Sequence, residues 1–219
     1  MRFMKILRYV LPTYLTALFN TLYTIVDGLY VSYFVGPLAL AAINIVYPLV
    51  NILYGIGLVF ALGSSSLAGI AFGENKEHKA SQYFIHAIMT VVVMSLIYTI
   101  VIILNLNQVI MFLGGSEQTY QYCQIYSYIW LLFAPIVVIK DVFVFFIRVD
   151  GGRFYSFFIS VMGGICNIVL DYLFIGIFPL GIFGAGIATV LGLFLSVMLG
   201  LFYFVRGRKT ICFVKPLWD

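Results

Sequence analysis

Charge is what this sequence has least of. Only 9% of its 219 residues are Asp, Glu, Lys or Arg, against 63% that are hydrophobic, and the mean hydropathy is +1.11. So little polar material cannot cover the surface of a water-soluble domain, which excludes that class. The three cysteines, Cys123, Cys166 and Cys212, lie far apart and lack metal-type spacing, so they are expected to be small apolar packing residues and no metal centre is predicted. Gly55-Ile56-Gly57 has no phosphate-loop context, so it is not a nucleotide motif. No cleavable signal peptide is expected: residues 1–8 lead into an apolar run too long for a signal-peptide core, without a small-residue cleavage site. The net charge of +4 does not imply nucleic acid as a partner, because the basic residues sit in short stretches between apolar runs.

Long apolar runs are what the chain does have. Several exceed the roughly 18–20 residues needed to cross a bilayer, and none shows the alternation of a membrane β-strand. The fold class read from this pattern is an all-α polytopic membrane protein. Six spans are predicted at 9–34, 39–72, 82–104, 120–148, 154–178 and 184–205, with loops at 35–38, 73–81, 105–119, 149–153 and 179–183. A tail at 1–8 and a segment at 206–219 flank the span region 9–205. The second run is too long to lie straight along the membrane normal, and Pro48, Gly55, Gly57 and Gly63 offer it places to bend or tilt.

All twelve Lys and Arg residues fall on one side of this arrangement. Arg2, Lys5 and Arg8 precede the first span; Lys76 and Lys79 lie between the second and third; Lys140, Arg148 and Arg153 surround the turn between the fourth and fifth; Arg206, Arg208, Lys209 and Lys215 follow the sixth. The positive-inside rule then places both termini in the cytoplasm, with the chain in the plasma (inner) membrane and lipid as its surroundings.

Against that background two acids stand out. Asp171 lies inside the apolar run 154–178, and Asp27 lies in the first span. An acid at the centre of a membrane helix costs about 2.5–3.5 kcal/mol on insertion scales, so an intramembrane carboxylate implies a partner or a use. Asn167 is four residues before Asp171 and shares its helix face. The span boundaries set Asp27, Asn167, Asp171 and Thr189 at a similar depth, with each acid about 10 Å short of the outer helix end at 1.5 Å per residue. Asp27-Gly-Leu-Tyr-Val and Asp171-Tyr-Leu-Phe-Ile are a weak internal echo, which treats spans one–two and five–six as related hairpins. Small residues at Ser65, Gly69 and Gly73, and at Gly184, Ala188 and Gly192, predict close helix packing. His86 is expected to be a packing or interfacial residue and His78 a solvated one, with Trp130 and most tyrosines at interfaces and in the bundle.

The run Val26-Asp27-Gly-Leu-Tyr-Val with Gly36, then Asn167-Ile-Val-Leu-Asp171, then Gly184-Ala-Gly-Ile-Ala-Thr189, resembles the multidrug and toxic compound extrusion (MATE) transporters. Arg148-Val-Asp-Gly151 resembles the turn which that family carries between spans four and five, although Val149 and Gly152 depart from its usual Gly and Asp. The resemblance implies one lobe of a twelve-helix fold, whose two lobes enclose a cavity for bulky, often cationic amphipathic compounds. Export there is driven by Na⁺ or H⁺ entry and needs no other cofactor. By the resemblance, Asp27 and Asp171 are the cation-coupling acids, open to transient Na⁺. Asn167 and Thr189 surround them, Tyr23 and Asn20 line the same pocket, and Pro12 marks the bend of the first helix. Lys140 and Asp141, unusual in the fourth span, are read as a local ion pair near the cytoplasmic end. The implied partners are an amphipathic small molecule and either the missing C-terminal lobe or a second copy of this chain.

The physical reading of the acids agrees. Burial disfavours a charged carboxylate and two neighbours disfavour each other's ionisation, so one proton or one Na⁺ is expected to be shared, and its arrival to bias helix packing. Three rival functions differ from this reading in the residues they require. A lipid-linked precursor flippase needs cationic side chains in its cavity, and none lies deep in spans one, two, three, five or six. An intramembrane aspartyl protease would carry Gly-x-Gly-Asp and Pro-Ala-Leu, which are missing, so no enzyme is expected. A non-transporting half lobe or interaction subunit stays open.

Overall fold

The computed structural model describes the backbone of residues 2–206 and 210–216, and the side chains of residues 11, 14–206 and 210–216. Among the described residues there is no strand. The helices are α1 (Arg2–Tyr30), α2 (Pro37–Gly73), α3 (Glu77–Leu104), α4 (Leu106–Phe112), α5 (Glu117–Leu132), α6 (Ala134–Val149), α7 (Arg153–Asp171) and α8 (Gly181–Arg206), with π-helical turns at Val31–Val35 and Tyr172–Ile177. Helix α1 runs from Arg2, so the backbone of residues 2–8 continues the first helix. Pro12 falls within α1, but its side chain lies outside the described residues.

By length and hydropathy, α2, α3, the continuous helix Arg153–Ile177 and α8 can each cross a membrane, and the bent pair α5–α6 makes a fifth. Among the described residues, α1 is not counted with them. Thr16, Asn20, Thr21, Thr24 and Asp27 dilute its apolar character, as suits a helix that turns part of its surface to a polar site.

The fourth expected span is not one helix. It breaks at Phe133, and α5 and α6 meet at a bend of 53°. Pro135 is the cause: it has no N–H to donate to the Leu131 carbonyl, and its ring crowds that turn. The freed Leu131 carbonyl is rescued from outside the helix, by the Thr99 hydroxyl of α3 donating at 3.0 Å. Pro48, by contrast, sits inside an unbroken α2. The expected loop 105–119 contains a short helix, α4. The following turn is tight at Gly114, with φ of 94°, and Ser116 and Thr119 form a reciprocal cap on α5.

Packing divides α1 from the rest. Helix α1 lies along α7, whereas α2 packs on α3, α5 and α6, and α7 on α8. The α1 and α2 segments are joined through the turn Val31–Val35 and part below it, leaving a space that α5, α6 and α8 help to wall.

Helices α7 and α8 meet backbone to backbone, as the small residues of α8 predict. A Cβ at Gly163 would lie 2.8 Å from Gly192 O. The other small-residue stripe does not behave that way: a Cβ at Gly69 or Gly73 would meet nothing within 4 Å, and only Ser65 of that set is buried. Spacing by four marks a face, and among the described residues only its Ser65 end is covered.

At the basic end, Phe84 is fully buried among Phe143, Phe146, Phe204 and Phe213, with ring centroids 4.5–5.9 Å away. Phe213 belongs to the segment after α8, which is docked. Thr210 N–H and Ile211 N–H each donate to Asp150 Oδ1 at 3.1 Å, Cys212 N–H donates to Ser81 Oγ at 3.2 Å, and Gln82 Nε2 donates to Lys215 O at 2.8 Å.

Candidate cation site and cavity

Asp171 ends α7 and Asp27 lies one turn before the end of α1, so the packing of these two helices brings the acids together. Gly164 permits the approach: a Cβ there would lie 2.5 Å from a Phe19 ring carbon and 3.1 Å from one of Tyr23. Both acids are followed by a π-helical turn, and the two turns touch. The sequence echo between the hairpins thus has a structural counterpart, with extra-wide turns of the kind that recur at functional sites.

Asp171 is fully buried, Asn167 and Thr189 nearly so, and Asp27 is half-buried. The Asn167 amide donates to Thr189 Oγ1 at 3.3 Å, and Thr189 donates its own proton to Ala185 O at 3.0 Å. Asn167 also contacts Asp171, as residues four apart on a helix do. The two carboxyl groups are neighbours. Asp27 Oδ1, Asn167 Oδ1 and both oxygens of Asp171 are buried and receive no hydrogen bond from the described residues.

Buried acceptors gathered without donors are unfavourable unless a cation or proton joins them. Their chemistry is all oxygen, which suits a hard cation or a proton. Among the described residues, no group of three or more His, Cys, Asp or Glu could hold a metal ion.

Beside this cluster lies a cavity of about 420 Å³, within the range of drug-sized sites. Asp27, Tyr23, Asn20 and Thr189 reach it from α1 and α8. A narrower pocket of about 20 Å³ opens onto Asn20, Tyr23, Asn167 and Thr189 as well. All six polar residues singled out in the sequence therefore sit at one locality.

The rest of the cavity wall was not anticipated as a site. Tyr47, Asn51 and Tyr54 share one face of α2, and Tyr126 and Trp130 one face of α5. That spacing was visible in the sequence, but in a chain with sixteen tyrosines it does not stand out. Lys140 and Asp141 do form the expected ion pair, at 2.7 Å, with side chains 15% and 13% exposed. Their place is the cavity wall, alongside Tyr23 and Thr189, and the Lys140 ammonium lies 5.6 Å from the centre of the Tyr54 ring.

The MatE family model matches residues 12–173. This chain belongs to the MatE family. The multidrug export protein MepA of Staphylococcus saprophyticus is 22% identical to it over 218 residues, which is 98% of this chain and 48% of MepA. A crystal structure of MATE in the bent conformation superposes with a TM-score of 0.89 at 23% identity, over 95% of this chain and 47% of the other. An outward-facing multidrug resistance MATE family transporter of the MOP superfamily gives 0.84 at 25% identity, over 94% of this chain and 46% of the other. The MatE chain described here thus spans about half the length of these relatives, and its fold is that of a single MATE lobe. It is an integral membrane protein.

Proposed function

We propose that this MatE lobe binds the coupling cation and lines the substrate path of an exporter of amphipathic, often cationic compounds. The observation that carries the reading is the meeting of Asp27, Asn167 and Asp171, whose buried acceptor oxygens lack donors, on the edge of an aromatic cavity. Na⁺ or H⁺ arriving there supplies the missing positive charge. It ties α1 to α7 through Asp27 and Asp171 and to α8 through Asn167 and Thr189. A cation that binds one arrangement of these helices better than another shifts the balance between them, which is how ion entry is converted into substrate release. The multidrug export named for MepA is the function this reading extends to the present chain.

The cavity is walled on the sides described and needs a partner to close it: a second lobe or a second copy of this chain. We place the lobe in the plasma (inner) membrane with its basic end in the cytoplasm, on the distribution of its Lys and Arg residues. A flippase for diphosphate lipids draws no support from the cavity, because its lining cation, Lys140, is paired with Asp141.

The test is binding of isotopic Na⁺, and proton release on binding, in the purified protein, together with efflux of a fluorescent cation from cells. Asp27→Asn and Asp171→Asn are each expected to abolish cation binding and cation-driven efflux. Unchanged efflux in Asp27→Asn would overturn the proposal.

A further inference from the structure

Lys140 touches two spaces at once. In the wide cavity its ammonium meets Asp141 Oδ1 and the Tyr54 ring. It also lines the narrow pocket, among Asn20, Ser160, Asn167 and Ser196. No other charged residue lines both.

Its present pairing is a makeshift one. Successive residues on a helix do not face each other, so Lys140 must curl back on itself to reach Asp141. The lysine stem is long and freely rotating, and its ammonium is a point charge with no orientational demand. Such a group can exchange one acceptor for another within its reach. The narrow pocket offers one: Asn167 Oδ1, buried and without a donor.

The place that Lys140 fills is itself suited to a positive charge. It combines a carboxylate with an aromatic face, and Tyr54 stands edge-on to Trp130 at 5.8 Å, with Tyr126 against Trp130 at 6.1 Å. A cluster of this kind favours a weakly hydrated, delocalised organic cation over a compact ammonium, because the former loses less hydration on entering.

We propose that Lys140 is a tethered cation that holds the Asp141–Tyr54 site until a lipophilic organic cation displaces it into the narrow pocket beside Asn167. Asp141 is then the counter-ion of the substrate, and Lys140 is a positioning residue. The displaced ammonium arrives beside Asn167, one helical turn from Asp171 on the same face, where its charge opposes Na⁺ or H⁺. Substrate and coupling cation exclude each other through Lys140 without overlapping, and each must weaken the other by the same factor. The inference rests on the cation-coupled reading above.

The test is equilibrium binding of radiolabelled tetraphenylphosphonium to the full chain in nanodiscs, with and without saturating Na⁺ and at low and high pH. Lys140→Met is expected to tighten binding by about tenfold in cation-free buffer at high pH, and to bring the affinities with and without the coupling cation to within about twofold. Asp141→Asn is expected to weaken binding by about tenfold. The double variant Lys140→Met with Asp141→Asn leaves no unpaired carboxylate, so it guards against a folding defect. It should bind weakly and without dependence on the coupling cation.

Retention of wild-type affinity and cation dependence in Lys140→Met, or of wild-type cation dependence in the double variant, would overturn the relay. Asp171→Asn separates the two ideas. If it keeps full cation dependence, the coupling site is wrong, whereas the affinity gain of Lys140→Met in cation-free buffer is judged independently.

Discussion

Gly163 and Gly192 stand in backbone contact, such that a Cβ on Gly192 would lie 2.5 Å from Gly163 O. Gly163 is one turn before Asn167, and Gly192 is just under one turn after Thr189. The contact therefore sets the separation at which Asn167 donates to Thr189. Gly192→Ala must push α7 from α8, at a cost of about 1–3 kcal/mol for overpacking a tight contact. It should also weaken cation binding, because Asn167 moves with α7. Gly69→Ala is the control, since its Cβ meets nothing within 4 Å. Denaturant titration in detergent and a cation-binding isotherm check both, and equal behaviour of the two variants would refute the contact's importance.

Thr189 both accepts from Asn167 and donates to Ala185 O. Thr189→Val keeps the shape, removes both bonds and leaves the Asn167 amide without that acceptor. The expected loss is about 1–3 kcal/mol of stability together with weaker cation binding. Thr189→Ser should restore both. Cation binding by all three forms is the measurement, and failure of the serine to rescue would show that the methyl group matters instead.

The bend at Phe133 links two residues far apart in sequence. Thr99→Val should cost about 1–3 kcal/mol, because the Leu131 carbonyl loses the hydroxyl donor that stands in for the missing Pro135 N–H. Pro135→Ala supplies an N–H to that carbonyl, so in its presence the Thr99→Val penalty should shrink. A double-mutant cycle on unfolding free energy reads this coupling directly. Strict additivity would mean that the hydroxyl does not compensate for the proline.

Asp150 holds the segment after α8 through two backbone amides, and its other oxygen accepts from the Tyr203 hydroxyl at 2.9 Å. Asp150→Ala should lower the local opening free energy of residues 210–215 by about 1.5–3 kcal/mol for each charge-assisted bond that is not replaced. Amide hydrogen exchange at Ile211 is the readout. Protection unchanged from wild type would mean that Phe213 and its ring partners hold the segment without the carboxylate.

The polar constellation was legible because each member contradicts its surroundings. Asp171 stands out in a run of Ile, Val and Leu, whether as a coupling acid or as a structural acid capped by Asn167 and Thr189, and the spacing to Asn167 puts both on one face. The break in the fourth span was less legible, since Pro48 and Pro135 look alike in sequence while only the second splits a helix. What separates them is context: Pro135 falls at a first-turn position, where a new helix can start. The cavity wall was obscured by composition, because Tyr47, Tyr54 and Tyr126 are three tyrosines among sixteen. Lys140 stands out in the sequence as a cation within an apolar run, and its pairing with Asp141 follows from their being neighbours; its place in the cavity wall does not, because that depends on how α6 lies beside α1, α2 and α8.

The docked segment 210–215 bears on the proposed closing of the cavity by a second lobe or a second copy. A partner on the same polypeptide would be leashed from that anchor and not from Arg206, where α8 ends. Leash length governs effective concentration, which is millimolar for short flexible linkers and falls as slack is added. Fastening the first stretch removes slack and narrows the arc through which two lobes can swing. A second, unleashed copy would have to reach the same occupancy by affinity alone. The two arrangements therefore part company on dilution: one persists at any concentration, and the other comes apart.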